Sequence, residues 1–129
     1  MVYPYQKSHG EYYPVVKLSL IHQETKLIIE ALVDSGANIS IFSADVAESL
    51  GIDIESGKKM FLGGVGGRIL GYEHLVEMEI AGRRFSSKVV FSREFLVSFN
   101  LIGRESVFDR FIICFNEKRR IVELRPQSR

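Results

Sequence analysis

One carboxylate in this sequence stands in a setting suited to catalysis. In Ala31-Leu32-Val33-Asp34-Ser35-Gly36-Ala37-Asn38 an apolar run meets an acid, a hydroxyl and a glycine in direct succession. The run predicts a strand, and Gly36 lets the chain bend sharply just after the acid. A carboxylate fixed at such a point can take a proton from water or from another nucleophile. The triplet also fits an ordinary turn, because Asp and Ser bond to nearby backbone and Gly accepts positive φ. Two further segments weigh against the ordinary turn: the glycine cluster Gly63-Gly64-Val65-Gly66-Gly67 and the apolar-Gly-Arg turn Leu101-Ile102-Gly103-Arg104.

The elements around these residues read as short strands. Val15 to Ile21 alternates, which predicts a half-buried strand. Gln23 to Lys26 is polar, and Leu27 to Val33 is a second strand that delivers Asp34; the two form a hairpin. Ser43 to Gly51 predicts a helix of about two turns, with Ser43 as N-cap and Gly51 just past the end. Lys59 to Leu62 enters the glycine cluster and Arg68 to Leu70 leaves it, so the cluster is a hairpin tip. Val76, Met78 and Ile80 alternate with glutamates, and Ala81-Gly82-Arg83 turns the chain into Phe85 to Phe91. The alternation resumes from Phe95 to Leu101. Ser106 to Arg110 allows a helical turn or two, and Phe111 to Phe115 and Arg120 to Leu124 are the last strands. About eight short strands with one or two short helices predict an all-β fold, a closed and mostly antiparallel β-barrel.

Length and composition set the outer limits. A chain of 129 residues suits one domain with a real core. We expect an irregular, tyrosine-rich arm at 1–13, a domain at 14–125 and a tail at 126–129. Formal net charge is +1, which argues against nucleic acid or an anionic membrane as the main partner. No apolar run reaches the roughly 18 residues that span a bilayer. The first residues lack the charged-then-apolar pattern of a secretory signal, so the expected location is cytoplasmic.

Other reactive side chains carry less. Cys114 is the single cysteine, which excludes an intrachain disulfide, and its apolar neighbours predict a core position. His9, His22 and His74 lack metal-ligand spacing, so no metal is expected. The glycine cluster is a poor phosphate cradle, having neither Gly-Lys-Ser/Thr nor a helix pattern behind it. Ser35 lacks a nucleophile-elbow context.

Leu32-Val33-Asp34-Ser35-Gly36-Ala37, Gly63-Gly64-Val65-Gly66-Gly67 and Leu101-Ile102-Gly103-Arg104 together resemble a retropepsin, the single-lobe aspartic protease of retroviruses and their cellular relatives. The resemblance covers Val15 to Leu124. In length and in the hairpin after Gly103-Arg104 it is more similar to prokaryotic-type members than to the shorter viral enzymes. It implies a retropepsin-like acid-protease barrel with Asp34 as the catalytic carboxylate. Ser35 would replace the commoner Thr and bond across a dimer, and Gly36 would present backbone to substrate. Gly63 to Gly67 would be a flap with Val65 near its apex, and Gly103-Arg104 would buttress the active-site turn, including Ala37 and Asn38. Viral members usually carry an acid at the position of Asn38, so Arg104 here has a neutral partner.

Aspartic catalysis needs two carboxylates that share one proton and one water. This chain has one Asp-Ser-Gly; Asp45, Asp53 and Asp109 lack the turn context. The second carboxylate must come from another copy, and a two-fold homodimer supplies it. The expected function is a homodimeric aspartic endopeptidase acting on a peptide or protein, without cofactor. The alternative is a non-catalytic, retropepsin-fold module that binds peptide or protein in the same groove.

Overall fold

The structure, a computed structural model, describes residues 1–64, 67–95 and 99–128. The elements run β1 (Val2–Pro4), β2 (Gln6–Ser8), β3 (Glu11–Tyr13), β4 (Val15–His22), β5 (Thr25–Val33) and β6 (Ser40–Ser43). Helix α1 (Ala44–Ser49) and a 3-10 turn (Ile54–Ser56) come next. Then follow β7 (Lys58–Gly64), β8 (Gly67–Ile80), β9 (Arg83–Ser92), β10 (Asn100–Ile102), β11 (Phe111–Asn116) and β12 (Ile121–Pro126). The fold is all-β with short helical pieces, as the sequence pattern predicts.

The main sheet has seven strands in the order β4-β5-β10-β6-β9-β8-β7. Strand β4 also pairs with β8 through Ser19–Glu79, Leu20–Met78 and Ile21–Glu77, so the order of neighbours returns to its start. This second partner explains why β4 is buried on both faces apart from Lys17 and His22, rather than on the one face its alternation suggests. Among the described residues the strand pairings are mostly antiparallel, as the sequence predicts, and two are parallel, β5 with β10 and β6 with β9. They sit side by side with the antiparallel β10–β6 contact at Leu101 and Ile41.

The core is filled by large apolar side chains with almost no exposure, among them Phe42, Phe91, Phe111, Leu20, Ile102 and Leu124. Phe42 and Phe91 meet as tilted rings with centroids 6.1 Å apart. Truncating either ring to alanine would cost about 3–5 kcal/mol. Helix α1 closes one side with Val46 and Ala47 buried. Its end is fixed by Gly51 at φ 72, with Gly51 N–H to Glu48 O at 3.0 Å and Ile52 N–H to Ala47 O at 2.9 Å. That pair of bonds is a Schellman ending, available because glycine accepts the left-handed conformation. Ser43 has the extended backbone of an N-cap but makes no side-chain capping bond.

The expected irregular arm at 1–13 is corrected by the structure. Strand β1 pairs antiparallel with β12, and β2 and β3 form a hairpin. Tyrosine favours extended backbone, while Pro4 and Gly10 only punctuate the strands. Ser106 to Arg110 forms a single helix-like turn, with Phe108 N–H to Arg104 O at 3.0 Å, and no helix. Strand β9 ends at Ser92 and β10 runs Asn100–Ile102; of the alternation expected from Phe95 to Leu101, residues 96–98 lie outside the described residues. Cys114 is half-buried rather than in the core, because β11 lies at a sheet edge.

Candidate active site

Asp34 follows the last residue of β5, and its position is set by the neighbouring strand. Asp34 N–H donates to Ile102 O at 2.9 Å, which extends the β5–β10 ladder by one step. Beyond it the chain turns: Ala37 N–H reaches Asp34 O at 3.2 Å, and Gly36 N–H donates to the Asp34 carboxylate at 2.9 Å. That second bond turns the carboxylate back over its own loop. A Cβ at Gly36 would lie 3.2 Å from the same oxygen, so even alanine there would press on the carboxylate. Asp34 is half-buried, and Ser35 and Gly36 are exposed.

The 34–39 loop is held from behind by the segment after β10. Arg104 N–H donates to Ala37 O at 2.9 Å and Glu105 N–H to Asn38 O at 2.8 Å. The Arg104 guanidinium donates to the Asn38 side-chain oxygen, the neutral contact expected from the sequence. Gly103 N–H donates to the Ser40 hydroxyl at 3.0 Å. Asp34, Gly36, Ala37, Asn38, Gly103 and Arg104 are therefore brought into one interlocked pair of loops. An open depression beside them is lined by Asn38, Arg104, Glu105, Ser106 and Asp109.

Ser40 and Asn100 were not anticipated. Ser40 is fully buried and accepts the Gly103 bond, and its only outward signal is a hydroxyl between Ile39 and Ile41. Asn100 links three segments, accepting from Ser43 N–H at 3.1 Å and donating to Glu30 O at 3.2 Å.

The glycine cluster forms the end of the β7–β8 hairpin, with Gly63 opposite Arg68 and Gly64 opposite Gly67. Gly67 has φ 121, a conformation that side chains rarely adopt. Val65, expected near the flap apex, and Gly66, expected in the flap, lie outside the described residues. On one face of this hairpin the Arg68 guanidinium stacks 4.4 Å from the centre of the half-exposed Phe61 ring. Further down, His74 Nε2 is 2.8 Å from Ile54 O, and its ring packs edge-on against Phe91. That is a structural role. Among the described residues no group of His, Cys, Asp or Glu could hold a metal ion, and no helix is long and apolar enough to cross a membrane.

The geometry can be set beside known proteins. The family described as "Aspartyl protease" matches residues 23–106, more than half of the chain. No curated protein matches it. Among solved structures, the chain is similar to the EIAV protease complexed with the inhibitor HBY-793. The TM-score is 0.59 at 21% identity, over 81% of this chain and 93% of that one. The chain's fold is like that of the retroviral protease; the matched residues run from the β4–β5 turn through Asp34, the glycine hairpin and Arg104, and so the chain belongs to the aspartyl protease family.

Proposed function

We propose that the protein is a homodimeric aspartic endopeptidase in which two copies of Asp34, one per subunit, activate a water molecule. The observation that carries this reading is the support of Asp34: its backbone is bonded to β10, and its loop is clamped by Gly103 to Glu105. A carboxylate in a plain surface turn has no need of such a clamp. Rigid placement is what proton transfer in a defined geometry requires.

In this mechanism one Asp34 is ionised and the other protonated. The ionised carboxylate takes a proton from water as the oxygen attacks the peptide carbonyl. The protonated one donates to the carbonyl oxygen, giving a tetrahedral diol. Collapse breaks the C–N bond and passes a proton to the leaving amine. Ser35, exposed at the turn, would bond across the subunit boundary, and Gly36 would offer backbone to the peptide. Gly63 to Gly67 would close over the substrate as a flap.

The decisive experiment uses Asp34→Asn and a peptide mimic carrying a hydroxyl at the position of the attacking water. Wild-type protein should cleave peptides with a bell-shaped pH dependence on the acidic side, because the singly protonated pair is the working form. It should bind the mimic far more tightly than the matching peptide. Asp34→Asn should lose both properties while keeping its fold. Equal affinity for mimic and peptide, without cleavage, would instead support the peptide-binding module.

A further inference from the structure

Arg83, Arg84 and Arg110 meet at one pocket of about 310 Å³, which they line with Phe85, Gln127 and Ser128. It shares no lining residue with the depression beside Asn38 and Arg104, and no acid lines it. The β8–β9 turn sets the first wall. Ala81 and Gly82 both have positive φ, 49 and 78, as the tightest hairpin turns require, and Arg83 is paired with Ile80 directly after them. Side chains two apart on a strand share a face, so Arg83 stands on the side of the buried Phe85. Arg84 stands on the opposite face and donates to Glu77 at 2.6 Å.

Arg110 comes from the turn before β11. Its Nε donates to Ser106 O at 3.0 Å, and its guanidinium lies 4.6 Å from the centre of the Phe85 ring. That ring in turn meets Phe111, with centroids 6.3 Å apart. An arginine bonded through Nε and stacked on a fixed ring has lost much of its rotamer freedom before any ligand arrives. Its terminal nitrogens have no protein partner among the described residues. The ion pairs among the described residues leave out both Arg83 and Arg110. Gln127 fixes the C-terminal side: its N–H donates to Arg110 O at 3.0 Å, and its side-chain nitrogen reaches Asp109 O and Phe111 O at 3.3 Å. Neighbouring carboxylates are engaged elsewhere, Glu77 with Arg84 and Glu79 with Lys26, while Asp109 lines the depression beside Asn38.

We propose that this pocket binds a phosphoryl-sized oxyanion between the guanidinium groups of Arg83 and Arg110. The planar fork of arginine matches the oxygens of a phosphoryl group, and charge-assisted bonds of this kind are the strong ones. An apolar occupant would take water from two cations and give them no partner. A single carboxylate would neutralise one guanidinium and leave the other. The anion would also sit on the segment that supports Asp34: Arg110 N–H bonds to Val107 O at 3.0 Å, Phe108 N–H to Arg104 O at 3.0 Å, and Arg104 N–H to Ala37 O at 2.9 Å. The site stands whether or not Asp34 cleaves peptides.

Inorganic phosphate is titrated into the wild-type protein by calorimetry near neutral pH, with chloride exchanged to hold ionic strength constant. Saturable binding is expected. Arg83 is exposed at a hairpin end, so Arg83→Gln should keep the circular dichroism spectrum while weakening phosphate at least about tenfold. Lys88→Gln removes one charge from an exposed position further along β9 and should bind phosphate as wild type does. Phosphoserine separates the two sources of the same group. Binding tighter than phosphate assigns the site to a phosphoryl group carried on a larger molecule, and equal or weaker binding assigns it to the free ion. No saturable binding of either probe overturns the site. So does Arg83→Gln protein that binds phosphate as well as wild type, or a loss in Lys88→Gln as large as that in Arg83→Gln, which would mark general surface charge.

Discussion

Gly103 lies so close to Ile39 that a Cβ would come within 2.5 Å of the Ile39 carbonyl carbon and oxygen and 2.8 Å of its nitrogen. Backbone meets backbone there, and nothing flexible can move aside. Gly103 is needed for this approach rather than for an unusual φ, since it is not among the positive-φ residues. The contact joins the end of β10 to the loop that carries Asp34.

Gly103→Ala should therefore force the two loops apart. Overpacking of this kind costs about 1–3 kcal/mol. Urea unfolding should show that loss, and peptide hydrolysis should fall further than stability alone explains, because Asp34 N–H is bonded to the adjacent Ile102 O. An unchanged urea midpoint would mean that the loops are not locked through this contact.

The hydrogen bond from Arg104 to Asn38 is exposed and neutral on one side. Asn38→Asp converts it to an ion pair of similar shape. Exposed pairs contribute about 0.2–1 kcal/mol, so the expected gain in stability is small and should shrink as salt is added. A loss of stability would show that the Asn38 amide nitrogen makes a bond that the carboxylate cannot replace.

Much of the site was legible because it is local in sequence. The apolar entry to Asp34, the turn at Gly36 and the paired strands around the glycine cluster are each written within a few residues. The clamp was legible only through Gly103-Arg104, and Ser40 escaped because one hydroxyl in an apolar run looks like strand noise. The parallel pairings of β5 with β10 and β6 with β9 join segments about 50 to 70 residues apart, and no local period encodes such register. Strands β1 to β3 were hidden by their shortness: three residues between Pro4, Gly10 and Pro14 give no measurable alternation.

Tyr5 ties the N-terminal segment to the C-terminal hairpin. Its hydroxyl donates to Glu117 at 2.8 Å, and its N–H donates to Arg120 O. Burial, with the bond to Glu117 and that carboxylate's charge, pushes the phenol from 10.0 up to about 12. The raised value means that the native state holds its proton more tightly than the unfolded state does. The resulting stability is complete below the unfolded value and is lost as pH rises through the interval from 10.0 to about 12. Urea midpoints taken from about pH 9 to about pH 12 should fall more steeply for wild type than for Tyr5→Phe. Parallel curves would show that Tyr5 does not titrate differently on folding.

The last prediction concerns whether one site needs two chains. Asp34→Asn should fold and associate as wild type does, since asparagine fits the same turn and keeps an oxygen for the Gly36 N–H. Hydrolysis should fall by orders of magnitude, because no carboxylate remains to accept the proton from water. Wild-type and Asp34→Asn subunits are then mixed in known proportions and allowed to exchange, with exchange followed by a fluorescent label. If the two Asp34 carboxylates form one site, only wild-type pairs are active, and activity follows the square of the wild-type fraction. If each chain carries a complete site, activity follows the fraction itself. A straight line after full exchange would rule out the shared site, whatever surface the subunits use to meet.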